Sequence, residues 1–302
     1  MTKTVLILGA SGRFGRHASA AFDSHGWEVR KFNRASENLR DAAMGAEVIV
    51  NAWNPDYPDW AAQVPKLTAQ VIDAAKASGA TVIIPGNVYT FGIDASTPYS
   101  AATPQRAQNP LGRIRIDMET AYRASNVRTI VLRAGDFIDT QASGNWFDMM
   151  MIPKLAKGRF VYPGNPDIAH AWAWLPDLTK AAVELAEMRA DLPVFADVPF
   201  PGFTLTGHEL CAAIGSCMGQ QITLKKMNWL PLQIARPFWK LAGCLLEMRY
   251  LWNKPHQIDG EKFTTLLPDF KMTPLAKALP LALGDYINPD KVMPRGKGAA
   301  HA

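Results

Sequence analysis

The chain has 302 residues, of which 48% are hydrophobic and 20% charged, a balance typical of a soluble globular protein with a substantial core. The formal net charge of +5 comes without a run of Lys or Arg, which argues against a dedicated nucleic-acid-binding protein. Cys211, Cys217 and Cys244 lack metal-ligand spacing and are interpreted as buried thiols in a reducing cytoplasm, so no metal site is predicted. The first strand is expected so early that no signal peptide is predicted.

A strand, a glycine turn and a helix are predicted at the beginning of the chain. The apolar run Val5 to Leu8 is typical of a buried strand. Gly9, Gly12 and Gly15 follow it at three-residue spacing, and a helix-like segment then runs to Gly26. Strand, glycine turn and helix in this order are the context that a dinucleotide-binding fingerprint requires.

Each glycine of the turn has a physical role in this interpretation. Gly9 permits the sharp turn out of the strand, Gly12 allows backbone amides to approach a pyrophosphate, and Gly15 lets the helix lie against the strand. The spacing GxxGxxG differs from the more common GxGxxG, and a glycine turn in an unrelated α/β protein is the alternative. The turn residues predicted to bind the cofactor are Gly9, Ser11, Gly12, Arg13, Phe14 and Gly15.

The end of the second strand indicates which dinucleotide is bound. This strand is predicted over Trp27 to Phe32 and is followed by Asn33 and Arg34, where an acidic residue would favour NAD. Arg13 and Arg34 are instead predicted to pair with a 2′-phosphate, so NADP is favoured over NAD. The alternative is that both arginines are solvated surface charges.

Strands and helices alternate through the next 150 residues, which predicts an α/β fold with a doubly wound parallel sheet. Ala52 and Trp53 follow the third strand, so we expect them along the cofactor at the carboxyl edge of the sheet. Trp60 is interpreted as a packing residue. The predicted strands are 47–51, 81–84, 129–132 and 192–198, and the predicted helices are 60–77, with Gly79 after its end, and 112–125.

The alternating pattern changes after Asp136, and a smaller C-terminal domain is predicted to begin at about residue 199. The predicted domains are therefore 1–198, binding the dinucleotide, and 199–302, with further substrate-side elements inserted around 137–175. Asp177 is expected to cap the helix that follows the alternating segment at His170, and Thr204 or Thr206 to start another. Further predictions are a helix over 145–155, a short strand over 221–225, a loop-and-helix region over 259–280 and a frayed tail over 295–302.

The most lipophilic stretch is Trp229 to Trp252. Arg236, Lys240, Glu247 and Arg249 interrupt it, so it is a poor membrane span. The favoured interpretation is an amphipathic helix that covers a substrate pocket, and a membrane partner is not expected. An interfacial membrane helix is the minority alternative.

Several motifs, read together, resemble a known family over nearly the whole chain. In order they are GASGRFG, IIPGNVYTFG, NPLGRIRIDME, LRAGDF and HAWAWLPDL. This set is similar to the extended or atypical short-chain dehydrogenase/reductases, also described as NAD-dependent epimerase/dehydratase-like proteins. The resemblance implies a Rossmann sheet that binds a nicotinamide dinucleotide, a small-molecule substrate and a smaller substrate domain, and a homodimer is kept open.

The chain departs from the family's Tyr-x-x-x-Lys dyad. The matching register falls on Leu111 and Arg115, and the position of the family's helper Ser/Thr falls on Pro85. Leucine cannot exchange a proton, and arginine stays charged, although Arg115 could bind the nicotinamide ribose. The resemblance therefore implies different chemistry or none.

Three residues are the candidates to replace the dyad. Asn87 and Tyr89 follow a predicted strand and should border the nicotinamide, and His170 is expected on the substrate side, where it titrates in a useful range. The alternatives are that Tyr89 is a packing residue whose hydroxyl bonds a backbone group, and that His170 is a structural or substrate-contact histidine. Trp53, Trp146, Trp172 and Trp174 suggest an apolar or ring-bearing ligand, although tryptophans are also common in cores.

Two functions of different classes follow. The favoured one is an NADP-dependent reductase or epimerase-like enzyme that acts on a small organic or sugar-derived substrate with non-standard catalytic residues. The alternative is a non-catalytic protein that senses NADP(H) and regulates a partner, because loss of the dyad with retention of the glycine turn is what such a protein would show. The enzyme is expected in the cytoplasm.

Overall fold

The computed structural model describes residues 2–287, and its centre is a six-stranded sheet in which every pairing is parallel. The strand order is β2-β1-β3-β4-β5-β9, numbered in chain order. The predicted α/β, doubly wound parallel fold is thus confirmed. The strands are β1 (Thr4–Leu8), β2 (Glu28–Lys31), β3 (Val48–Asn51), β4 (Thr81–Gly86), β5 (Thr129–Arg133) and β9 (Phe195–Pro199).

Strand order places the candidate site. The strand order reverses between β1 and β3, because β2 is added on one side of β1 and all later strands of this sheet on the other. Ligands of such sheets bind at this switch point, outside the carboxyl ends of the strands. Between β2 and β3 the chain forms no strand, only the short helix α2 (Leu39–Ala42). β2 is therefore an edge strand, and the segment after it borders the switch point directly.

Helices cover both faces of the sheet, because their apolar positions recur at helical spacing. On one face, α1 (Arg13–Ser24) packs against α5 (Leu175–Glu187). On the other, α3 (Trp60–Ser78) packs between α2 and α4 (Pro110–Ala124). Gly79 ends α3 in the left-handed conformation at φ 75°, as the sequence predicts.

A second group of elements builds a separate apolar core outside the main sheet. It has two small sheets, β10-β8-β6 and β11-β7. Thr206 caps α6 (Gly207–Met218) in a capping box with Glu209, which confirms the predicted helix start. β9 ends at Pro199, beside the predicted boundary, while the division into two domains stays a prediction. The strands are β6 (Asp136–Ile138), β7 (Arg159–Tyr162), β8 (His170–Trp174), β10 (Phe203–Leu205) and β11 (Thr223–Lys226).

Two predicted local features are wrong. The helix expected over 145–155 is a π-helical turn, Phe147–Met151, followed by a 3-10 helix at Leu155–Lys157. Asp177 does not cap α5, because it lies inside the first turn and Trp174 occupies the cap position. Its carboxylate accepts hydrogen bonds at 2.6 and 2.7 Å from the backbone N–H and hydroxyl of Thr273, so it ties α5 to the C-terminal segment.

The lipophilic stretch forms two short helices and not one long helix. These are α7 (Leu230–Ala235) and α8 (Lys240–Glu247), followed by a 3-10 helix at Met248–Asn253. Within residues 2–287 no helix combines the length and the apolar character needed to cross a bilayer. The remaining helices are α9 (Glu261–Leu266), α10 (Leu275–Ala282) and α11 (Gly284–Ile287), and the predicted frayed tail lies outside the described residues.

The cysteines differ in part from the prediction. Cys211 is buried, but Cys217 on α6 and Cys244 on α8 are only partly buried. All three are free thiols. Burial raises the pKa of each thiol above its ordinary value, so none is activated as a nucleophile by its surroundings.

Candidate functional site

The glycine turn is tightly packed between β1 and α1. Gly9 has φ +73°, a conformation that favours glycine. A Cβ atom on Gly15 would lie 2.1 Å from the carbonyl oxygen of Gly9, and one on Gly12 would lie 3.2 Å from the same oxygen. Only glycine therefore fits at Gly15, which agrees with close packing of helix on strand.

The N-terminus of α1 is open to an anion. Gly12 is the cap residue, and no side chain caps the first turn. Backbone amides at such a terminus, together with the helix dipole, favour a phosphate group. Ser11 is exposed beside this turn, whereas the Phe14 side chain is 3% exposed and packs in the core, so only its backbone is available. The residues present thus fit a pyrophosphate.

The residues predicted to hold the adenosine end lie against the turn. A Cβ atom on Gly9 would meet the Ala52 carbonyl oxygen and the Trp53 ring, each at 3.2 Å. The Arg34 guanidinium lies 6.0 Å from the centre of the Trp53 ring, within reach of a cation–π interaction. β2 and β3 therefore bring Arg34 and Trp53 together beside the turn.

An acidic side chain at this end escaped the sequence prediction. The Glu37 carboxylate accepts a 2.5 Å hydrogen bond from the backbone N–H of Asn33, and the Asn33 side chain accepts one at 3.0 Å from the Ala35 N–H. Glu37 belongs to the turn after β2, so its carboxylate comes close to the strand end. The signal was present in the sequence, four residues beyond Asn33.

Arg13 points toward the loop after β6. Its guanidinium donates a 3.1 Å hydrogen bond to the Gly144 carbonyl oxygen, so its predicted pairing with Arg34 at a 2′-phosphate stays a prediction. The same loop is fixed by the buried Asp139, which accepts hydrogen bonds from Arg16 at 2.5 Å and from His17 at 2.7 Å. Arg13, Arg16 and His17 thus tie α1 to the loop after β6.

Two tyrosine hydroxyls meet at the carboxyl edge. Tyr57, in the 3-10 helix Tyr57–Asp59 after β3, and Tyr89, after β4, have hydroxyl oxygens 2.7 Å apart. Burial raises the pKa of Tyr89 well above its ordinary value, and Tyr57 and the Asp136 carboxylate raise it further. Tyr89 is therefore a protonated phenol at neutral pH, suited to donate a hydrogen bond or a proton.

A carboxylate and an imidazole pair beside the tyrosines. Asp136, after β5, lies 2.7 Å from Nε2 of His170, whose ring is 1% exposed. His170 stacks on Trp252 at a centroid distance of 4.2 Å and meets the His256 ring edge-on at 4.2 Å. An Asp–His pair of this kind holds the imidazole in one orientation.

His256 carries unused hydrogen-bonding capacity. Its Nδ1 lies 3.1 Å from the Lys254 carbonyl oxygen, and its buried Nε2 has no partner among residues 2–287. Burial, followed by the neighbouring His170, lowers the pKa of His256 well below its ordinary value. His256 is therefore neutral, with Nδ1–H donating and Nε2 left as an acceptor.

The two residues at the positions of the missing dyad make structural contacts. Leu111 is 3% exposed in the core, and its backbone N–H donates to Glu247 at 2.7 Å. Arg115 is buried, donates to the Pro85 carbonyl oxygen at 2.8 Å and lies 5.4 Å from the centre of the Trp60 ring. Its Nε–H finds no acceptor within the described part of the chain, which fits a group positioned for a bound ribose.

A buried ionic network supports the loop of Asn87 and Tyr89. Arg133 donates to Glu119 at 2.7 Å, to Asp197 at 2.6 Å and to the Asn87 carbonyl oxygen at 2.6 Å. The Asn87 side chain accepts the Tyr89 N–H at 3.1 Å, so it shapes the turn. Burial raises the pKa of Asp197, while the Arg133 guanidinium outweighs burial and lowers the pKa of Glu119.

The predicted tryptophan-lined pocket is only partly correct. Trp172 and Trp174 are 1% and 2% exposed and belong to the core beneath β8, because that strand is buried on both sides. Trp60 is 1% exposed, as predicted for a packing residue. Trp53 and Trp146 keep part of their surface exposed. The apolar-ligand prediction therefore retains only these two rings.

The carboxyl edge brings together most of the predicted site and adds to it. The glycine turn, Arg34, Trp53, Arg115 and Tyr89 follow or face the ends of adjacent strands, as a parallel sheet requires. Tyr57 and Asp136 also follow strand ends, and that rule alone would have added them. His256 gave no such signal, because the C-terminal segment that carries it packs here through tertiary contacts.

Comparisons with known proteins identify the fold. Neither protein-family models nor curated protein sequences return a match. Solved structures do: UDP-glucose 4-epimerase from Brucella ovis in complex with NAD matches at 16% identity and TM-score 0.73, covering 95% of this chain and 99% of that one. UDP-glucose 4-epimerase from Bifidobacterium longum in complex with NAD+ and UDP matches at 13% identity and TM-score 0.69, covering 96% and 100%.

A third solved structure agrees with these two. UDP-N-acetylglucosamine 4-epimerase from Bacillus cereus matches at 12% identity and TM-score 0.71, covering 93% of this chain and 99% of the other. Whole chains are thus superimposed at low sequence identity, which establishes common architecture. The chain has the fold of these sugar-nucleotide epimerases, and the resemblance to extended short-chain dehydrogenase/reductases is confirmed at the level of the fold.

Proposed function

We propose that the chain is a nicotinamide-dinucleotide-dependent reductase or epimerase-like enzyme that acts on a small organic or sugar-derived substrate. The observation that carries the proposal is the Tyr57–Tyr89 hydroxyl pair beside the Asp136–His170 pair, at the edge of the sheet that holds the glycine turn. Two solved epimerases with this fold contain NAD, which supports a dinucleotide here.

The proton chemistry would differ from that of the Tyr-x-x-x-Lys dyad. A bound nicotinamide supplies hydride transfer to or from a substrate carbon. In the reductive direction Tyr89, as a neutral phenol, would donate its proton to the alkoxide oxygen that forms. Tyr57 would pass a proton to Tyr89 through the hydrogen bond between their hydroxyls, beside the Asp136–His170 pair.

Substrate orientation would fall to the groups around this proton path. Arg115 has a free Nε–H and would bind the ribose next to the nicotinamide. The Asn87 amide lies in the same loop as Tyr89 and would hydrogen-bond the substrate oxygen. The Arg133 network would hold this loop in place.

We further propose NADP as the preferred cofactor. Arg34, which lies beside Trp53, would pair with a 2′-phosphate, and no acidic residue directly ends β2. Glu37 opposes this preference, since its carboxylate lies at the same turn. The two side chains therefore make opposite contributions and can be tested as a pair.

Cofactor titration of two variants tests this preference. We expect Arg34→Asp to weaken NADPH binding roughly tenfold or more and to leave NADH binding within about threefold, because a charge-assisted contact to phosphate is lost. Glu37→Gln should strengthen NADPH binding, because a carboxylate near the phosphate is removed. Unchanged NADPH affinity in Arg34→Asp would place the 2′-phosphate elsewhere.

A second function is favoured by the dyad positions themselves. Leu111 is part of the core and Arg115 is tied to Pro85, so both positions serve the fold. A non-catalytic NADP(H)-sensing protein would show this pattern. It predicts tight binding of NADPH without oxidation by any carbonyl compound, whereas the enzyme predicts turnover that depends on Tyr89.

A further inference from the structure

An apolar edge projects from the C-terminal half of the protein. Leu230, Ile234 and Phe238 are four residues apart through α7 and the turn after it, so they lie on one side, and Trp239 adjoins them. Their exposed fractions are 55%, 67%, 93% and 48%. Large side chains exposed together in this way mark an interaction surface. We call these four residues the apolar edge.

The segment that carries the apolar edge is positively charged, while Asp56 and Asp59 lie exposed at the 3-10 helix Tyr57–Asp59, which packs against α8. Between Glu209 and Asp259 the only acidic residue is Glu247. Glu247 is turned toward α4, where it accepts hydrogen bonds from the Asn109 side chain at 2.8 Å and from the Leu111 N–H at 2.7 Å. The basic residues in the same interval are Lys225, Lys226, Arg236, Lys240, Arg249 and Lys254.

Arg236 and Lys240 flank the most exposed aromatic residues in the sequence ARPFWK, and both are exposed. Aromatic and apolar side chains bordered by long basic ones are the arrangement that interfacial membrane segments use, because the charged heads reach lipid phosphates while the rings enter the acyl boundary. α7 and α8 contain 6 and 8 residues, so they would lie along a bilayer and not cross it.

We propose that the apolar edge docks the protein on the surface of an anionic phospholipid bilayer. Phe238 and Trp239 would enter the headgroup region, and Arg236 and Lys240 would pair with lipid phosphates. A second copy of the chain is a poorer occupant, because a two-fold interface would bring the same positive surface against itself. The exposure of these four residues favours the bilayer as their occupant, and the pocket cover expected from Trp229 to Trp252 stays a prediction.

Co-sedimentation of the full-length protein with vesicles tests the proposal. We expect binding to phosphatidylcholine vesicles that contain about one-third phosphatidylglycerol, and much weaker binding to phosphatidylcholine alone. The double variant Phe238→Ser/Trp239→Ser should lower the partition coefficient roughly tenfold. Ile93→Ser is the matched control, because Ile93 is 60% exposed outside this surface.

A second pair of variants separates local from overall charge. Arg236→Gln/Lys240→Gln should reduce binding to anionic vesicles roughly tenfold, whereas Lys66→Gln/Lys76→Gln, exposed on α3, should leave it within about twofold. Thermal melting checks that each variant is folded. Equal effects of the two pairs would overturn the proposal, as would wild-type protein that stays in the supernatant.

Sedimentation velocity tests the alternative that a second copy of the chain binds the apolar edge. The proposal predicts the same oligomeric state for wild type and Phe238→Ser/Trp239→Ser. A dimer that dissociates in this variant would assign the apolar edge to self-association and would overturn membrane docking.

Discussion

At the scale of single residues, the site is set by burial of polar groups next to one another. Tyr89 stays protonated because burial and the nearby Asp136 carboxylate disfavour a phenolate. His170 is held by Asp136 at 2.7 Å and so keeps one fixed orientation. The same environment keeps Tyr89 in the phenol form, in which it can donate a hydrogen bond.

Removing the Tyr89 hydroxyl tests its role. We expect Tyr89→Phe to lower kcat/KM for NADPH oxidation by an accepted carbonyl compound roughly 10²- to 10⁴-fold, the usual range for loss of a general acid. NADPH affinity should be unchanged. Tyr122→Phe is the control, because it removes a buried hydroxyl that bonds Asn51 at 3.1 Å without touching the Tyr57–Tyr89 pair. Full activity in Tyr89→Phe would remove Tyr89 from the mechanism.

At the scale of elements, close approach and ion pairing hold the site together. α1 can lie against β1 only because Gly15 has no side chain. β4, β5 and β9 are joined below the site by Arg133, which is fully buried between Glu119 and Asp197. Removing one partner of such a network leaves buried charges without compensation.

The glycine turn gives the first prediction at this scale. Gly15→Ala places a Cβ 2.1 Å from the Gly9 carbonyl oxygen, so α1 must shift away and its amides must leave the pyrophosphate position. We expect a lower melting temperature and NADPH binding weakened at least roughly tenfold, the loss of one or more charge-assisted hydrogen bonds. Gly243→Ala in α8 is the control: its Cβ would have no neighbour closer than 3.9 Å, so binding should be unchanged. Wild-type affinity in Gly15→Ala would contradict the placement.

The Arg133 network gives the second prediction at this scale. Arg133→Met should lower the free energy of unfolding by about 3–5 kcal/mol, because Glu119 and Asp197 then face each other unpaired in the interior. Urea unfolding followed by tryptophan fluorescence measures the change. Arg40→Met should give no measurable change, since Arg40 and Asp73 are each 61% exposed and 3.5 Å apart. Similar losses in both variants would mean that the network contributes little.

At the scale of the whole molecule, the C-terminal segment closes the site that the sheet begins. Residues 247–256 bring Glu247 to α4 and Trp252 and His256 to His170. Folding of this segment therefore determines whether the Asp136–His170 pair is buried. Because His256 lies in this segment, the free energy of unfolding should depend on pH.

Stability should fall as the solution becomes acidic. Burial lowers the pKa of folded His256 well below the value of about 6.5 expected when the chain is unfolded. Below that pH the unfolded chain binds a proton that the folded chain excludes, so the free energy of unfolding decreases. His256→Gln should give a shallower slope between about pH 7 and pH 5 in urea unfolding. An equal slope in the variant would mean that the pKa of His256 is the same in the folded and the unfolded chain.

Local pattern and parallel topology predict most of the fold and the cofactor end of the site. The strands predicted at 5–8 and 81–84 and the helix start at Thr204 or Thr206 follow from nearest neighbours in sequence. Arg133 is instead paired with residues 14 and 64 positions away, and periodicity carries no record of such pairs. Asp177 looked like a cap because its short-range pattern fits one, but Thr273 is its actual partner.

The central claim is that the carboxyl edge of the sheet binds a nicotinamide dinucleotide and performs redox chemistry there. Titration of the purified protein with NADPH and NADH, followed by a panel of carbonyl compounds while absorbance of the bound cofactor is recorded, tests it most directly. The account predicts tighter binding of NADPH than of NADH and oxidation of bound NADPH by at least one compound. Failure to bind either dinucleotide would contradict the assignment of the turn at Gly9 to Gly15, and with it the proposed function.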